Sequence, residues 1–201
     1  MKTTKLFSIA LILGSVFLGP SVSAQEKMMK KPENLMKQET KMVGGAEMYP
    51  TKNIVENAVN SKEHTTLVAA VKAADLVDVL SSEGPFTVFA PTNAAFDKLP
   101  KGTVITLVMP ENIEKLQEIL TYHVVAGKWS AQDIAKLIKD GKGKAVIKTV
   151  AGGTITAWMK GTDVYVTDEN GNSAKVTIAD VNQSNGVIHV IDAVLLPGMA
   201  K

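Results

Sequence analysis

Gly84-Pro85-Phe86-Thr87-Val88-Phe89-Ala90-Pro91-Thr92-Asn93-Ala94-Ala95-Phe96 is the stretch from which the fold is read outward. Residues 86–90 are apolar, aromatic or β-branched and sit between two prolines, which predicts a short buried strand. Thr92 has the side chain of a helix N-cap, and a short helix containing Ala95 and Phe96 is expected to run until Pro100 stops it. The amide of Asn93 is expected to support the turn between strand and helix.

Upstream of this stretch the pattern is helical. Asn53 caps a helix over 54–59, and Thr65 or Thr66 caps a second in which Leu67, Val71 and Ala74 keep i, i+4, i+7 spacing. Leu76, Val79 and Leu80 make a further short turn. Downstream, Ile113, Leu116 and Leu120 form one stripe with Ile119 beside it. Residues 122–127 read as a strand leaving that helix, and Ser130 caps a helix that buries Ile134, Leu137 and Ile138.

Beyond residue 141 the period changes from helical to extended. Strands are expected over 142–150, 154–159 and 164–167. Asn170-Gly171 predicts a tight turn with positive φ at both central residues, pairing 175–178 back against 164–167. Residues 187–196 are apolar on both faces, as a strand covered on both sides must be. The expected class is α+β, helices early and strands late, in one domain over 49–198.

Residues 1–24 carry Lys2 and Lys5, an apolar run over 6–18, and the small residues Ser23 and Ala24. That is the composition of a secretory signal peptide, and the run is shorter than the roughly 20 residues a membrane-spanning helix needs. Its removal takes two lysines and no acid, so the formal charge of +2 falls to zero. A neutral chain has no field to draw it to nucleic acid or anionic lipid. All 22 basic residues are lysine, so the guanidinium fork that reads guanine or phosphate is missing. Residues 25–48, polar and lysine-rich with Pro32 and Gly44-Gly45 as breakers, read as a flexible tether. Met28, Met29, Met36, Met42 and Met48 crowd into this segment, where thioethers offer weak copper(I) capture as the alternative to a plain linker.

The chain has 201 residues and no cysteine, which removes disulfides, thiolate metal sites and thiol nucleophiles. No hydrolase triad or local metal-ligand pair stands out among the three histidines. His64 lies in a polar stretch and is expected to be solvated. His123 and His189 lie on apolar segments, where they either hydrogen-bond within the core or, with Asp180 or Asp192, ligate a metal. Asp192 interrupts an apolar strand, which points to a carboxylate tying down neighbouring amides. The glycines at 141–143 and 152–153 match neither a phosphate loop nor a dinucleotide fingerprint. Neither a cofactor nor a metal is expected.

Three blocks carry a family resemblance. The 84–96 stretch, with Thr87, Phe89, Pro91, Thr92, Asn93 and Phe96, resembles the first signature segment of fasciclin (FAS1) domains. Tyr122-His123 is similar to the family's central pair, and 185–192, with Asn185, Gly186, His189 and Asp192, resembles its second signature. The resemblance implies a FAS1 fold, a β-wedge or sandwich of two sheets with a cluster of α-helices packed on one side. It also implies a non-enzymatic module of cell adhesion or matrix association, with a protein or glycan as partner. Tyr122, His123, Asp180 and Val181 fall at positions that contact partners in some family members, while Tyr122 and His123 can equally serve as scaffold.

The expected function is therefore recognition by a secreted or periplasmic protein, with partners approaching exposed aromatics such as Trp129, Trp158 and Tyr165 beside lysine stems. The alternative is an exported small-molecule or lipid carrier, which needs an apolar cleft of about 300 Å³ or more. A hydrolase built on a carboxylate pair is a third, remoter reading.

Overall fold

The computed structural model describes residues 39–198. The segments read as signal peptide and most of the tether lie outside the described residues. The described chain starts with a hairpin, β1 (Lys41–Val43) and β2 (Ala46–Met48), followed by three helices: α1 (Ile54–Ala58), α2 (Thr65–Ala73) and α3 (Val77–Ser81). Strand β3 (Phe86–Pro91) leads into α4 (Asn93–Asp97), α5 (Thr103–Leu107), a 3-10 turn at Pro110–Asn112 and α6 (Ile113–Tyr122). Strand β4 (Val124–Ala126) and α7 (Ala131–Asp140) precede the strand-rich part: β5 (Lys144–Lys148), β6 (Thr154–Lys160), β7 (Asp163–Thr167), β8 (Ser173–Gln183) and β9 (Gly186–Ile191).

Seven strands pair in the order β4-β3-β9-β8-β7-β6-β5, with β3 and β9 parallel and the other pairs antiparallel. The eleven residues of β8 serve both halves. Its start pairs with β7 and its end with β9, with register shifts between Val176 and Val181 where the strand bends. The result is two strand layers sharing β8, the expected α+β wedge.

Alternation along β3 and β9 builds two cores. Val88, Ala90, Ile188 and Val190 face the first, packed under α1, α2, α3, α6 and the hairpin. Phe89 and Ile191 face the second, between the two sheet halves, where they meet Ala145, Ile147, Ile155, Ala157, Val166 and Ala174 and are closed over by Ile134 and Ile138 of α7. Every residue of β9 is buried, as expected of a strand with both faces covered. Gly186 stands where β9 meets β3. A Cβ there would lie 2.1 Å from the Phe86 carbonyl oxygen, so the close backbone approach requires glycine.

The chain departs from the sequence reading at several places. The strand expected over 187–196 ends at Ile191, and α2 has His64 rather than Thr65 or Thr66 at its N-cap, with no cap from its own side chain. The tether expected over 25–48 does not extend to residues 41–48. Gly44 and Gly45, at φ +56° and +77°, are the two-residue turn of a hairpin whose Val43 and Met48 are buried in the first core. Residue 122 ends a helix instead of starting a strand. The β7–β8 connection is also longer than a two-residue turn, with Thr167 pairing with Ser173. Asp168 organises it by accepting the Asn170 and Asn172 amides at 2.9 and 2.8 Å, which removes the need for positive φ at Asn170. His64, expected in solvent, is buried at the N-terminus of α2.

Candidate functional site

Tyr122 and His123 sit at the end of α6, where the chain turns into β4. Tyr122 is fully enclosed in the second core. Its hydroxyl donates to the Thr154 carbonyl at 2.6 Å and accepts the Glu169 amide at 3.2 Å, which ties α6 to the β5–β7 half of the sheet. Burial pushes its pKa up to about 12. His123 is 3 % exposed, with Nδ1 donating to the Ile119 carbonyl at 2.8 Å and Nε2 accepting the Leu195 amide at 2.9 Å. The two bonds fix a neutral ring, and burial pulls its pKa down to about 4. Neither side chain offers a surface to a partner.

The second pair carried over from the family divides. Val181 is 1 % exposed and belongs to the first core. Asp180, at φ +56°, is half-buried and accepts the amide of Ala131, the first residue of α7, at 2.7 Å. It reinforces the capping box that Ser130 and Asp133 make at the same helix end. Beside it, His189 donates from Nε2 to the Trp129 carbonyl at 2.9 Å, accepts the Asp180 amide at Nδ1 and stacks on Phe89 with centroids 5.6 Å apart. Both nitrogens of His123 and of His189 are thus engaged. Among the described residues no three histidine or carboxylate side chains gather as metal ligands.

The remaining signature residues hold segments together. Thr87 donates to the Gly127 carbonyl at 2.7 Å and accepts the Trp129 amide at 2.9 Å. Thr92 caps α4, and Pro91 closes the β3–β9 register opposite Ile191. Phe96 packs with Ala95, Ile119 and Val194 in a third apolar cluster. Asn93 reaches beyond its own turn: its Oδ1 accepts the Thr66 amide at 3.0 Å and its Nδ2 donates to the Lys62 carbonyl, so it caps α2 from outside that helix. Asn185 accepts the Ile54 amide and donates to the carbonyls of Leu80 and Ser82, joining α1 and α3 to the β8–β9 turn. Asp192 lies just past β9, partly exposed, where it accepts the Lys175 amide at 2.8 Å and pairs with Lys98.

Among the described residues, Asn57, Asp168 and His64 are buried polar groups that the sequence reading did not place in the core. Asn57 joins Tyr49 to the side chain of Gln183, and Asp168 also accepts the Leu196 amide at 3.0 Å. His64 bonds Ser61 through Nδ1, while its Nε2 has no partner. Burial lowers its pKa. His64 lines an apolar cavity with Val43, Met48, Leu67, Val71 and Ile188. That cavity encloses about 50 Å³, far below the roughly 300 Å³ of a ligand pocket.

The surface offers more room than the core. One open hollow of about 550 Å³ lies among Asn53, Ser82, Glu83, Lys128 and Ser184. A second, of about 400 Å³, is lined by Lys144, Thr156, Trp158, Thr167 and Ser173 on the outer face of β5–β8. Trp158 stacks there against Tyr165, with centroids 4.8 Å apart and planes at 18°. Trp129 is separate from this pair, tucked against the second core with Nε1 donating to the Ala126 carbonyl.

Residues 62–197 match the model of the fasciclin domain family. The chain belongs to the fasciclin family. A Synechocystis protein, sll1483, is 53 % identical over 146 residues, covering 73 % of this chain and 74 % of that protein. The immunogenic protein MPB70 of Mycobacterium bovis is 39 % identical over 145 residues, covering 70 % and 66 % of the two chains. The solved structure of a domain pair from the insect cell adhesion molecule fasciclin I superposes with a TM-score of 0.65 at 20 % identity, covering 72 % of this chain and 51 % of that one. The last likeness is one of fold, and it agrees with the fasciclin wedge described above.

Proposed function

We propose that this fasciclin domain is an exported, non-enzymatic recognition module that holds a protein or glycan of the cell surface or matrix. The observation that carries this reading is how the domain spends its polar groups. Its signature tyrosine, its histidines at 123 and 189 and Asn185 are enclosed and bonded to backbone, where they fix the sheet halves and helix ends to one another. A scaffold pinned in this way holds its surface residues in place, which lowers the entropic cost of binding. The cell adhesion role named for the insect relative supports the same reading. The cavity is too small for the carrier alternative.

The test is binding of the labelled 201-residue chain to envelope and matrix fractions of the producing organism, together with turnover assays on sugars, esters and peptides. Saturable retention without turnover supports the reading. Turnover that one substitution abolishes contradicts it.

A further inference from the structure

We propose that the outer face of β5–β8 is a binding site for an acidic oligosaccharide, with the indole of Trp158 as its platform. The proposal rests on the recognition reading above and names the ligand class and the place.

The pleat decides which side chains point outward. Ala145, Ala157, Val166 and Ala174 are buried on the inner face, so their neighbours in each strand face out. The cross-strand partners then form two rows across four strands: Lys144–Trp158–Tyr165–Lys175 and Val146–Thr156–Thr167–Ser173. An aromatic pair flanked by a lysine on either side stands beside a row bearing three hydroxyls. Val146 is 71 % exposed, so the face also carries uncovered apolar surface.

The rings are held before any ligand arrives. Tyr165 covers one indole face, and Trp158 Nε1 donates to Thr167 Oγ1 at 2.9 Å, which in turn lies 2.7 Å from Ser173 Oγ. The indole also lines the 400 Å³ hollow with Lys144, Thr156, Thr167 and Ser173. An apolar ring surface walled by hydroxyls and a lysine matches a pyranose, whose C–H face is apolar and whose rim is a belt of hydroxyls. A run of nucleotide bases instead needs successive free ring faces.

Charge selects among sugars. Lys144, Lys148 and Lys160 all lie on this outer face, and none makes an ion pair among the described residues. Of the carboxylates nearby, Asp163 pairs with Lys175 at 2.7 Å and Asp192 with Lys98, while Glu169 stays ionised on the amides of Thr154 and Gly198, one negative charge against the three unpaired lysines. The free charge of the face is positive although the chain without residues 1–24 is neutral. An anionic glycan, carrying carboxylate or sulfate, complements it, and lysine suffices because the anion needs a point charge.

The experiment measures binding of the 201-residue chain by calorimetry and tryptophan emission to oligogalacturonate, an alginate oligomer and chondroitin sulfate. A neutral malto-oligosaccharide, polyglutamate and a single-stranded oligonucleotide are the comparisons. At least one acidic glycan is expected to bind saturably, more weakly as salt rises. Trp158→Ala should weaken it by about tenfold or more. Trp158→Phe keeps an aromatic face and should retain most of the affinity, and Lys144→Gln should reduce affinity and salt dependence together without disturbing the stack. Circular dichroism confirms that each variant is folded. Failure of all three acidic glycans, equal binding of polyglutamate or the oligonucleotide, or indifference to Trp158→Ala in a folded variant each overturns the proposal. Retention on matrix fractions that survives Trp158→Ala would overturn this site while leaving the recognition reading intact, whereas no retention of the parent chain would remove both.

Discussion

Nε2 of His123 accepts the backbone amide of Leu195 at 2.9 Å, while Nδ1 of the same ring donates to the Ile119 carbonyl. A proton on Nε2 would leave the Leu195 amide facing another donor inside the core. The neutral ring is therefore the folded form. Its contribution is complete above the ordinary value of 6.5 and is lost as the pH falls toward about 4. Over that window the loss should approach roughly 3 kcal/mol. His64 and His189 are lowered by burial as well and act with the same sign. The melting temperature should thus drop between pH 7 and 4, and His123→Gln should start lower and fall less steeply. A pH-independent melting temperature across that range would contradict the assignment.

Tyr122→Phe removes the hydroxyl bonded to the Thr154 carbonyl and the Glu169 amide and leaves the ring in the core. Both groups lose a partner, so the cost should be about 1–3 kcal/mol in a urea titration. Binding per folded molecule should not change, since the side chain is enclosed. A binding defect in a folded Tyr122→Phe protein would restore the pair as a contact.

Asn93→Ala should cost about 1–2 kcal/mol, because the Thr66 amide at the head of α2 loses its cap and the Lys62 carbonyl its donor. Hydrogen exchange should quicken first in α2, whose N-cap residue His64 makes no side-chain cap of its own. Uniform exchange changes across the domain would argue against a capping role.

Gly186→Ala places a methyl 2.1 Å from the Phe86 carbonyl oxygen, a distance relieved only by parting β3 from β9. Those strands are central and buried, so the variant should lose several kcal/mol or fail to fold. An unaltered melting temperature would show that the strands have slack there.

A chain beginning at Tyr49 should be less stable than one beginning at Glu39 by about 3–5 kcal/mol, because Val43 and Met48 leave the first core. Equal denaturation midpoints would return the hairpin to the status of a tether.

The elements legible in the sequence are those in which local chemistry and burial agree. Phe86–Pro91 is bracketed by proline and apolar on both faces, and it is covered on both faces in the fold. Ser130, Asn53 and Thr92 cap the helices expected of them. The β1–β2 hairpin was hidden because each strand has only three residues, with Lys41 and Glu47 among them, so Gly44-Gly45 read as a breaker when it is the turn. His64 misled for a related reason. Its neighbours in sequence are polar, but the fold sets it around one apolar cavity with Val43, Met48 and Ile188 from other elements. Asp168 replaced the tight turn expected at Asn170 by accepting the amides of Asn170 and Asn172 within its own loop and that of Leu196 from 28 residues away, and only the last is beyond the reach of a local pattern. Of the candidate contacts, Tyr122, His123 and Val181 are enclosed in the cores, and Asp180, half-buried, is spent on the Ala131 amide. The aromatic face was visible only as separate residues, because the rows that unite Trp158 with Lys144 and Tyr165 are set by strand register.

The most direct test is the binding isotherm of the folded chain on matrix from the producing organism, recorded beside that of folded Tyr122→Phe. Two superimposable, saturable curves are expected, since recognition is assigned to the surface and the buried tyrosine to the scaffold. A chain that shows no saturable retention, or a substrate consumed during the measurement, would contradict the assignment of this domain to recognition.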